Sequence, residues 1–291
     1  MNTLQCFEAF DFVDANDYIE IESYVDSVIV NDNRVLENML NVEREVTIKD
    51  YCSNKESNLS PHMRKIVTDW MLEVCEDQQC KPEVFFLSIN YLDRFLSRVN
   101  IKKNQFQLCA SVCILLASKL LGTSVSVTFL MEYTDNCYTK EEILQWEVFI
   151  LSMLDWNINT STCLTIVRKF LREFGLQTLE EETSDILGLL HRNLDFAMME
   201  HKKLAATGLA LAAMNREYED TEELIKKLCK LSDITECELK QIIEEAGEII
   251  EKIFATRKDF IVLTRSVQVH DDIRQEKMLS PNLHNFPEII C

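Results

Sequence analysis

The sequence predicts an all-α protein in which two similar helical domains follow one amino-terminal helix. Residues 105–121 carry apolar or small side chains on every face of a helix, and such a helix has to lie at the centre of a bundle. Residues 204–215 repeat this pattern, with Ala205 at the position of Cys109, at an offset of 96 residues. The scarcity of Gly and Pro, 5 and 4 residues among 291, favours helices joined by short turns.

Apolar residues at intervals of three, four and seven positions predict the helices of the first domain. Ser60 caps the first of them and Pro61 occupies its first turn, which is a common way for a helix to begin. An amphipathic helix over residues 31–46 precedes the domain. The five predicted helices cover residues 60–79, 82–96, 105–121, 127–133 and 140–154.

The second domain shows the same plan. Its central helix has Asn215 where the first has Lys119, so we expect this surface charge in one copy only. The five predicted helices cover residues 162–174, 181–199, 203–215, 221–231 and 236–254. The predicted organisation is an acidic mobile leader at 1–30, domains at 31–158 and 159–256, and a mobile polar tail at 257–291.

The net charge limits the classes of partner. A formal charge of −19 disfavours nucleic acid and anionic membrane as the main partner, because both bind basic surfaces. No segment with a basic start and an apolar core stands at the amino terminus, so we expect no secretion signal. Protein partners with basic surfaces remain compatible with this composition.

The sequence shows no constellation typical of an enzyme. The isolated Gly residues cannot form a phosphate-binding loop, and the pairs Cys75–Cys80 and Cys109–Cys113 lack the further ligands of a zinc site. Asp271 and the aspartate after it resemble part of the acidic box of a helical synthase, but the next acidic partner is missing. We therefore predict reduced thiols, no metal, no cofactor and a function in binding.

Four segments carry a resemblance to a known family. They read MRKIVTDWMLEVCEDQQC, INYLDRFLS, CILLASKL and YTDNCYTKEEILQWE. In this order and spacing they resemble the first cyclin box of the D-type cyclins, from about residue 31 to residue 156. The second domain is similar in its helix pattern and in the segment TGLALAAM. The resemblance implies two tandem five-helix cyclin boxes and a non-catalytic subunit that activates a cyclin-dependent serine/threonine kinase.

The resemblance also implies roles for two charged pairs. Lys119 and Glu147 match the cyclin residues that contact the kinase, although by sequence alone both are interpreted as solvated surface residues. Arg64 and Asp93 match a structural ion pair, and a semi-buried Arg needs a carboxylate beside it.

A further set of residues matches the family's docking patch for Arg-x-Leu peptides. Four of them are Met63, Val67, Trp70 and Gln107, and Glu73 is placed to meet the basic side chain of the peptide. Apolar periodicity alone assigns Val67 and Trp70 to the core, so their partial exposure is an expectation from the resemblance only.

The terminal segments contain two short motifs. Leu4, Cys6 and Glu8 resemble the Leu-x-Cys-x-Glu sequence with which D-type cyclins bind retinoblastoma-family pocket proteins, and a mobile segment suits such capture. Ser280 precedes a proline where the family has a phosphorylated turnover signal.

The resemblance implies an activator at the G1/S transition, present in the nucleus and the cytoplasm. Its implied partners are a cyclin-dependent kinase, pocket proteins and Cip/Kip-type inhibitors. Two other classes of protein are alternatives. A transcription-type cyclin or general-transcription-factor-like adaptor would share the fold but favour a basic surface, and a helical enzyme would need the site that is missing.

Overall fold

The structure of the chain, a computed structural model, describes residues 32–44, 48–53, 58–123 and 125–256. Twelve α-helices and two short 3-10 helices make up the regular structure of these residues, and no strand occurs among them. The α-helices are α1 (Asn33–Arg44), α2 (Pro61–Asp77), α3 (Pro82–Leu96), α4 (Phe106–Leu120), α5 (Val127–Tyr133), α6 (Lys140–Met153), α7 (Cys163–Phe174), α8 (Glu180–Leu190), α9 (Leu194–Ala197), α10 (His201–Asn215), α11 (Thr221–Ser232) and α12 (Glu236–Thr256). The 3-10 helices are Lys103–Gln105 and Gln177–Leu179.

This element order confirms the predicted all-α class. The helix ends follow from local chemistry. At the start of α2 the Ser60 hydroxyl accepts the N–H of Met63 at 3.2 Å. At the start of α6 Thr139 and Glu142 cap each other's backbone N–H groups. Gly175, in the left-handed region at φ 70°, ends α7.

The predicted single helix over residues 181–199 is wrong in its length. α8 ends at Leu190, and α9 begins at Leu194 after a turn. The side chain of Asn193 accepts the N–H of Asp195 at 2.8 Å, so a capping residue starts a new helix there. The break was missed because the buried residues before and after it keep the spacing of one continuous helix. Apolar periodicity does not show where the helix axis changes direction.

Two buried helices lie at the centres of the two halves. α4 packs against α2, α3 and α6, and α10 packs against α7, α8, α11 and α12. All residues of α4 from Phe106 to Ser118 are buried, as are nearly all residues of α10 up to Ala213. The sequence identified both helices because a helix that is apolar on every face has no surface to present to water.

The expectation of a surface charge in one copy only is wrong. Asn215 does stand where α4 has its lysine, but the next residue, Arg216, pairs through Nε with the carboxylate of Glu182 on α8. The chain therefore places a cation at the end of each central helix. The two cations have partners on different helices, since Lys119 pairs with a residue of α6.

A buried ion pair joins the two halves. Nε and Nη2 of Arg64 donate to the two carboxylate oxygens of Asp93 at 2.9 and 2.7 Å, and Nη1 donates to the carbonyl of His191 at 2.7 Å. The hydroxyl of Tyr51 donates to the same carboxylate at 2.7 Å. Burial lowers the pKa of Arg64, but attraction and hydrogen bonding from Asp93 outweigh it, so the pKa is raised. The predicted pair therefore stays charged and also holds the turn after α8.

None of the helices among the described residues combines the length and the apolar character needed to cross a membrane. No group of three or more His, Cys, Asp or Glu side chains in this part of the chain could hold a metal ion. The nine cysteines that the structure describes are free thiols.

Candidate functional site

The carboxyl end of α4 and the middle of α6 bring two charged side chains together at the surface. Lys119 lies in the last turn of α4, where a cation interacts favourably with the helix dipole. Its Nζ is 2.6 Å from Oε1 of Glu147. The lysine side chain is 52% exposed and the glutamate side chain 13%. The two predicted kinase-contact residues therefore form one ion pair, and the ammonium group is its accessible part.

Large exposed apolar side chains accompany this ion pair. Leu120 directly follows the lysine and is 41% exposed. Leu144 and Val148 lie on α6 three residues before and one residue after the glutamate, and they are 38% and 56% exposed. Trp156, just beyond the end of α6, is 65% exposed. We call Leu120, Leu144, Val148, Trp156, Lys119 and Glu147 together the α4–α6 surface.

An apolar surface with a charge pair within it is typical of a protein-binding site, because scattered apolar residues are normal but grouped ones are avoided on monomers. Buried core positions of such a site favour aromatic residues, and the exposed Trp156 is a suitable anchor. This arrangement provides apolar contact area for a partner and one accessible ammonium group. It contains no nucleophile beside a base, so what it can do chemically is bind.

Sequence reasoning missed the four apolar members of the α4–α6 surface. Ile143 and Ile150 of α6 are buried and face the core. Leu144 and Val148 fall on another side of the same helix, one turn apart. This second apolar pair was the signal that could have revealed the surface, because it lies on a face of α6 that does not point to the core.

The predicted docking patch is only partly at the surface. Val67 is 2% exposed, Trp70 is 3% exposed and Gln107 is 8% exposed, so these three residues are buried, contrary to the expected partial exposure. Val67 and Trp70 lie on α2 and Gln107 lies on α4, and these two helices pack against each other. Met63 is half-buried and Glu73 is exposed. Of the five predicted residues, two remain accessible.

Ile66 is a further accessible residue on this side of α2 that the sequence analysis did not include. It is half-buried and lies one turn after Met63 and one turn before Trp70. The spacing of three and four residues places these side chains along one edge of the helix. The accessible part of the predicted patch therefore consists of Met63, Ile66 and Glu73. Glu73 lies about 15 Å from Met63 along the helix axis, at 1.5 Å per residue.

Several predicted residues lie outside the part of the chain that the structure describes. They are Leu4, Cys6 and Glu8 of the leader, and Ser280, Asp271 and Asp272 of the tail.

The sequence matches the family described as "Cyclin, N-terminal domain" over residues 34–159. It is 32% identical over 238 residues to the G1/S-specific cyclin-D2 of Xenopus laevis, covering 77% of this chain and 82% of that protein. It is 34% identical over 212 residues to the G1/S-specific cyclin-D3 of Mus musculus, covering 69% of this chain and 73% of that protein.

The fold of the chain is similar to that of a cyclin of known structure. The X-ray structure of a viral cyclin from herpesvirus saimiri superposes with a TM-score of 0.69 at 20% sequence identity, covering 77% of this chain and 100% of that chain. At this identity the likeness shows the cyclin-box fold alone.

The relatives extend the match beyond the first half. A stretch of 238 aligned residues includes both central helices, whereas the domain family covers only the region around α4. Cyclins are regulatory subunits that bind cyclin-dependent kinases and are not enzymes themselves, which agrees with a surface built for contact. The chain therefore belongs to the D-type cyclin family.

Proposed function

We propose that this D-type cyclin activates a cyclin-dependent serine/threonine kinase through the α4–α6 surface and directs that kinase to retinoblastoma-family pocket proteins, promoting the G1/S transition. The observation that carries the proposal is the exposed Lys119–Glu147 pair beside four exposed apolar side chains. We also propose that it acts in the nucleus and the cytoplasm.

The chemistry of Lys119 suits a contact with an acidic helix of a partner. An ammonium group carries three N–H donors, of which the bond to Glu147 uses one. Because the lysine side chain is 52% exposed, a partner's carboxylate or carbonyl can approach it without displacing Glu147. Glu147 then holds the lysine in place, and less side-chain entropy is lost on binding.

The proposed mechanism of activation is positional. Protein kinases are active only when a glutamate on their mobile helix pairs with the active-site lysine and the activation segment is ordered. A rigid partner that packs on this helix stabilises the active arrangement. The α4–α6 surface is rigid because α4 is buried along almost its whole length.

The direct test is reconstitution. The full chain is mixed with candidate D-cyclin-dependent kinases, and phosphorylation of a pocket-protein fragment is measured beside that of a short peptide without docking motifs. We expect kinase activity that requires the cyclin, with the fragment preferred over the peptide. Absence of cyclin-dependent activity with every candidate kinase would contradict the proposal, whereas equal rates on both substrates would contradict the recruitment part alone.

We assign pocket-protein capture to the leader motif of Leu4, Cys6 and Glu8. Replacing all three by Ala should abolish capture of a pocket protein in a binding assay while leaving cyclin-dependent phosphorylation of the short peptide unchanged. Matched replacement of Asn2, Gln5 and Ala9 by Ser is the control for changes in the same segment. Retained capture by a truncated chain that begins at Asn31 would show that the motif is not used.

We assign Arg-x-Leu peptides, including those of Cip/Kip-type inhibitors, to the accessible edge of α2. Met63 and Ile66 offer an apolar surface for the leucine, and Glu73 offers a carboxylate. Changing Met63 to Ala and Glu73 to Lys should weaken phosphorylation of substrates with the motif and leave kinase association unchanged. Equal losses on substrates with and without the motif would contradict the assignment.

A further inference from the structure

The carboxyl end of α2 brings two cysteines together. The N–H of Cys80 donates to the carbonyl of Cys75 at 2.8 Å, and the N–H of Gln79 donates to the carbonyl of Glu76 at 2.9 Å. Gln79 lies in the left-handed region at φ 49°. These features define a Schellman motif, in which the two outer residues contact each other through their side chains. In this helix end the outer residues are Cys75 and Cys80.

The backbone geometry of this motif is compatible with a disulfide. Bond lengths and the N···O separation of 2.8 Å limit the distance between the two Cα atoms to about 6.7 Å. Disulfides bridge Cα atoms roughly 4.4–6.8 Å apart. The motif places the side chains of the two cysteines next to each other. Forming a bond between the sulfur atoms therefore requires rotation of side chains rather than movement of the helix.

Other helix ends in the chain show that the motif does not need thiols. The corresponding pair at the end of α7 is Leu171 and Leu176, and at the end of α11 it is Cys229 and Ile234. An apolar contact is sufficient for the turn at both places. The two cysteines at the end of α2 can form a disulfide, whereas the residue pairs at these other two turns cannot.

We propose that Cys75 and Cys80 are a redox modification site, which closes to an intramolecular disulfide by exchange with a small disulfide such as glutathione disulfide. Cys80 is the attacking residue, since it is half-buried and within reach of solvent. The hydrogen bond from Cys75 lowers the pKa of Cys80, which raises its thiolate fraction. Cys75 is the resolving residue, because the same hydrogen bond and its burial raise its pKa.

The exchange proceeds in two balanced steps. The Cys80 thiolate attacks one sulfur of glutathione disulfide, so that a mixed disulfide forms and one glutathione thiolate leaves. Cys75 then loses its proton to that thiolate and attacks the sulfur of Cys80, which releases the second glutathione. Two electrons pass from the cysteine pair to glutathione disulfide, and the two protons end on two glutathione thiols. Cys75 attacks from its own position in the last turn of α2, because the turn holds Cys80 beside it.

The disulfide would fix the end of α2 and the turn into α3. It closes a small loop, and a cross-link of this kind removes conformations from the unfolded chain. Glu73 lies in the same last turns of α2 and would be held more rigidly. The modification would therefore act on the edge of α2 and leave the α4–α6 surface unchanged.

The test incubates the full chain with glutathione and glutathione disulfide at increasing ratios, blocks free thiols and maps the disulfides by mass spectrometry. Trypsin leaves residues 66–94 as one peptide with only these two cysteines, since the lysine at position 81 precedes a proline. We expect this peptide to lose the mass of two hydrogen atoms. Cys75→Ala should instead accumulate glutathione on Cys80, and alkylation of Cys80 should be slower without its hydrogen-bond donor.

Three internal controls decide the outcome. Cys109 and Cys113 are fully buried and should stay reduced in the folded protein, while the exposed Cys237 should carry glutathione without closing a ring. A peptide 66–94 that carries only mixed glutathione at Cys80 would overturn the proposal. So would a pair that stays fully reduced under conditions that load Cys237. Circular dichroism of each variant checks that α2 remains folded.

Discussion

α4 and α10 are corresponding helices of the two halves, but their carboxyl ends differ in chemistry. At the offset of 96 residues that relates them, the first half has Lys119 and Glu147, and the second has Asn215 and Ile243. The first pair forms an ion pair whose lysine is half exposed, whereas Ile243 is 8% exposed. The two halves thus differ in the partner of the cation at the end of the central helix: Lys119 pairs with Glu147 of α6, whereas Arg216 pairs with Glu182 of α8 and the position that corresponds to Glu147 belongs to the core.

The exposed apolar residues follow the same division. Those of the first half are Leu120, Leu144, Val148, Phe149 and Trp156, and those of the second half are Met214 and Tyr218. Phe149 contacts the ring of Phe95 at 5.5 Å and so completes the packing of α3 and α6. The comparison shows that the two halves both keep apolar residues where helices pack. They differ at surface positions, where packing does not determine the type of residue. The proposed one-sided interface would consist of such positions.

The largest expected effect tests the junction between the halves. Arg64→Ala should leave the buried carboxylate of Asp93 uncompensated and lower the free energy of unfolding by about 3–5 kcal/mol, as for one partner removed from a buried pair. Urea unfolding followed by circular dichroism measures this. The matched control is Arg98→Ala, because Arg98 pairs with an exposed Asp155 and such pairs contribute about 1 kcal/mol or less. Equal effects of the two changes would contradict the role of the junction.

The second prediction tests whether the interface is one-sided. Lys119→Glu should reduce kinase affinity roughly 30-fold or more, corresponding to about 2–5 kcal/mol for a desolvated charge contact, because it places like charges against each other. Asn215→Glu, at the corresponding position of α10, is the control and should have little effect. Co-purification and surface plasmon resonance measure both variants. Wild-type affinity of Lys119→Glu would show that the interface lies elsewhere.

The third prediction is that histidines of the second half make the stability of the protein sensitive to acid. Burial lowers the pKa of His191 and of His201 to about 4, below the ordinary value of 6.5. A depressed folded pKa means that the unfolded chain binds more protons below pH 6.5, so stability falls as pH decreases from 6.5 towards 4. We expect a loss of roughly 2 kcal/mol per histidine between pH 7 and pH 5.

The pH dependence can be assigned by substitution. His201→Asn should flatten the dependence of the unfolding free energy on pH by about half, whatever its effect at pH 7. His62→Asn, at an exposed position of α2 in the first half, is the control for the same replacement of a histidine by an asparagine. An identical pH dependence for His201→Asn and wild type would contradict the prediction.

The smallest expected effect tests the packing of the second central helix. A Cβ added at Gly208 would lie 2.8 Å from Cδ2 of Leu187, whereas the corresponding residue of α4 is Val112. Gly208→Ala should therefore destabilise the protein by about 1–3 kcal/mol through overpacking. Gly247→Ala is the control, because nothing lies within 4 Å of its added Cβ, and it should stabilise α12 by about 0.4–1 kcal/mol. A Gly208→Ala variant as stable as wild type would show that Leu187 can move aside.

Much of the fold could be predicted because its signals are local. The caps at Ser60 and Thr139 and the apolar periodicity between them set the helix ends within a few residues of those in the structure. The exception is the break after Leu190, where a capping Asn lies inside an apolar pattern. Of the site, Lys119 and Glu147 were identified from the family resemblance, and their contact required two helices to pack at one particular position.

The sequence by itself determined the helices and the identity of the two buried ones, because composition and periodicity act within a segment. The tertiary structure decided which faces are covered. It buried Trp70 and left Val148 and Trp156 exposed, although all three are apolar. It also joined Arg64 to the backbone of His191, 127 residues away. Exposure and long-range pairing depend on which elements meet, and no local pattern specifies that.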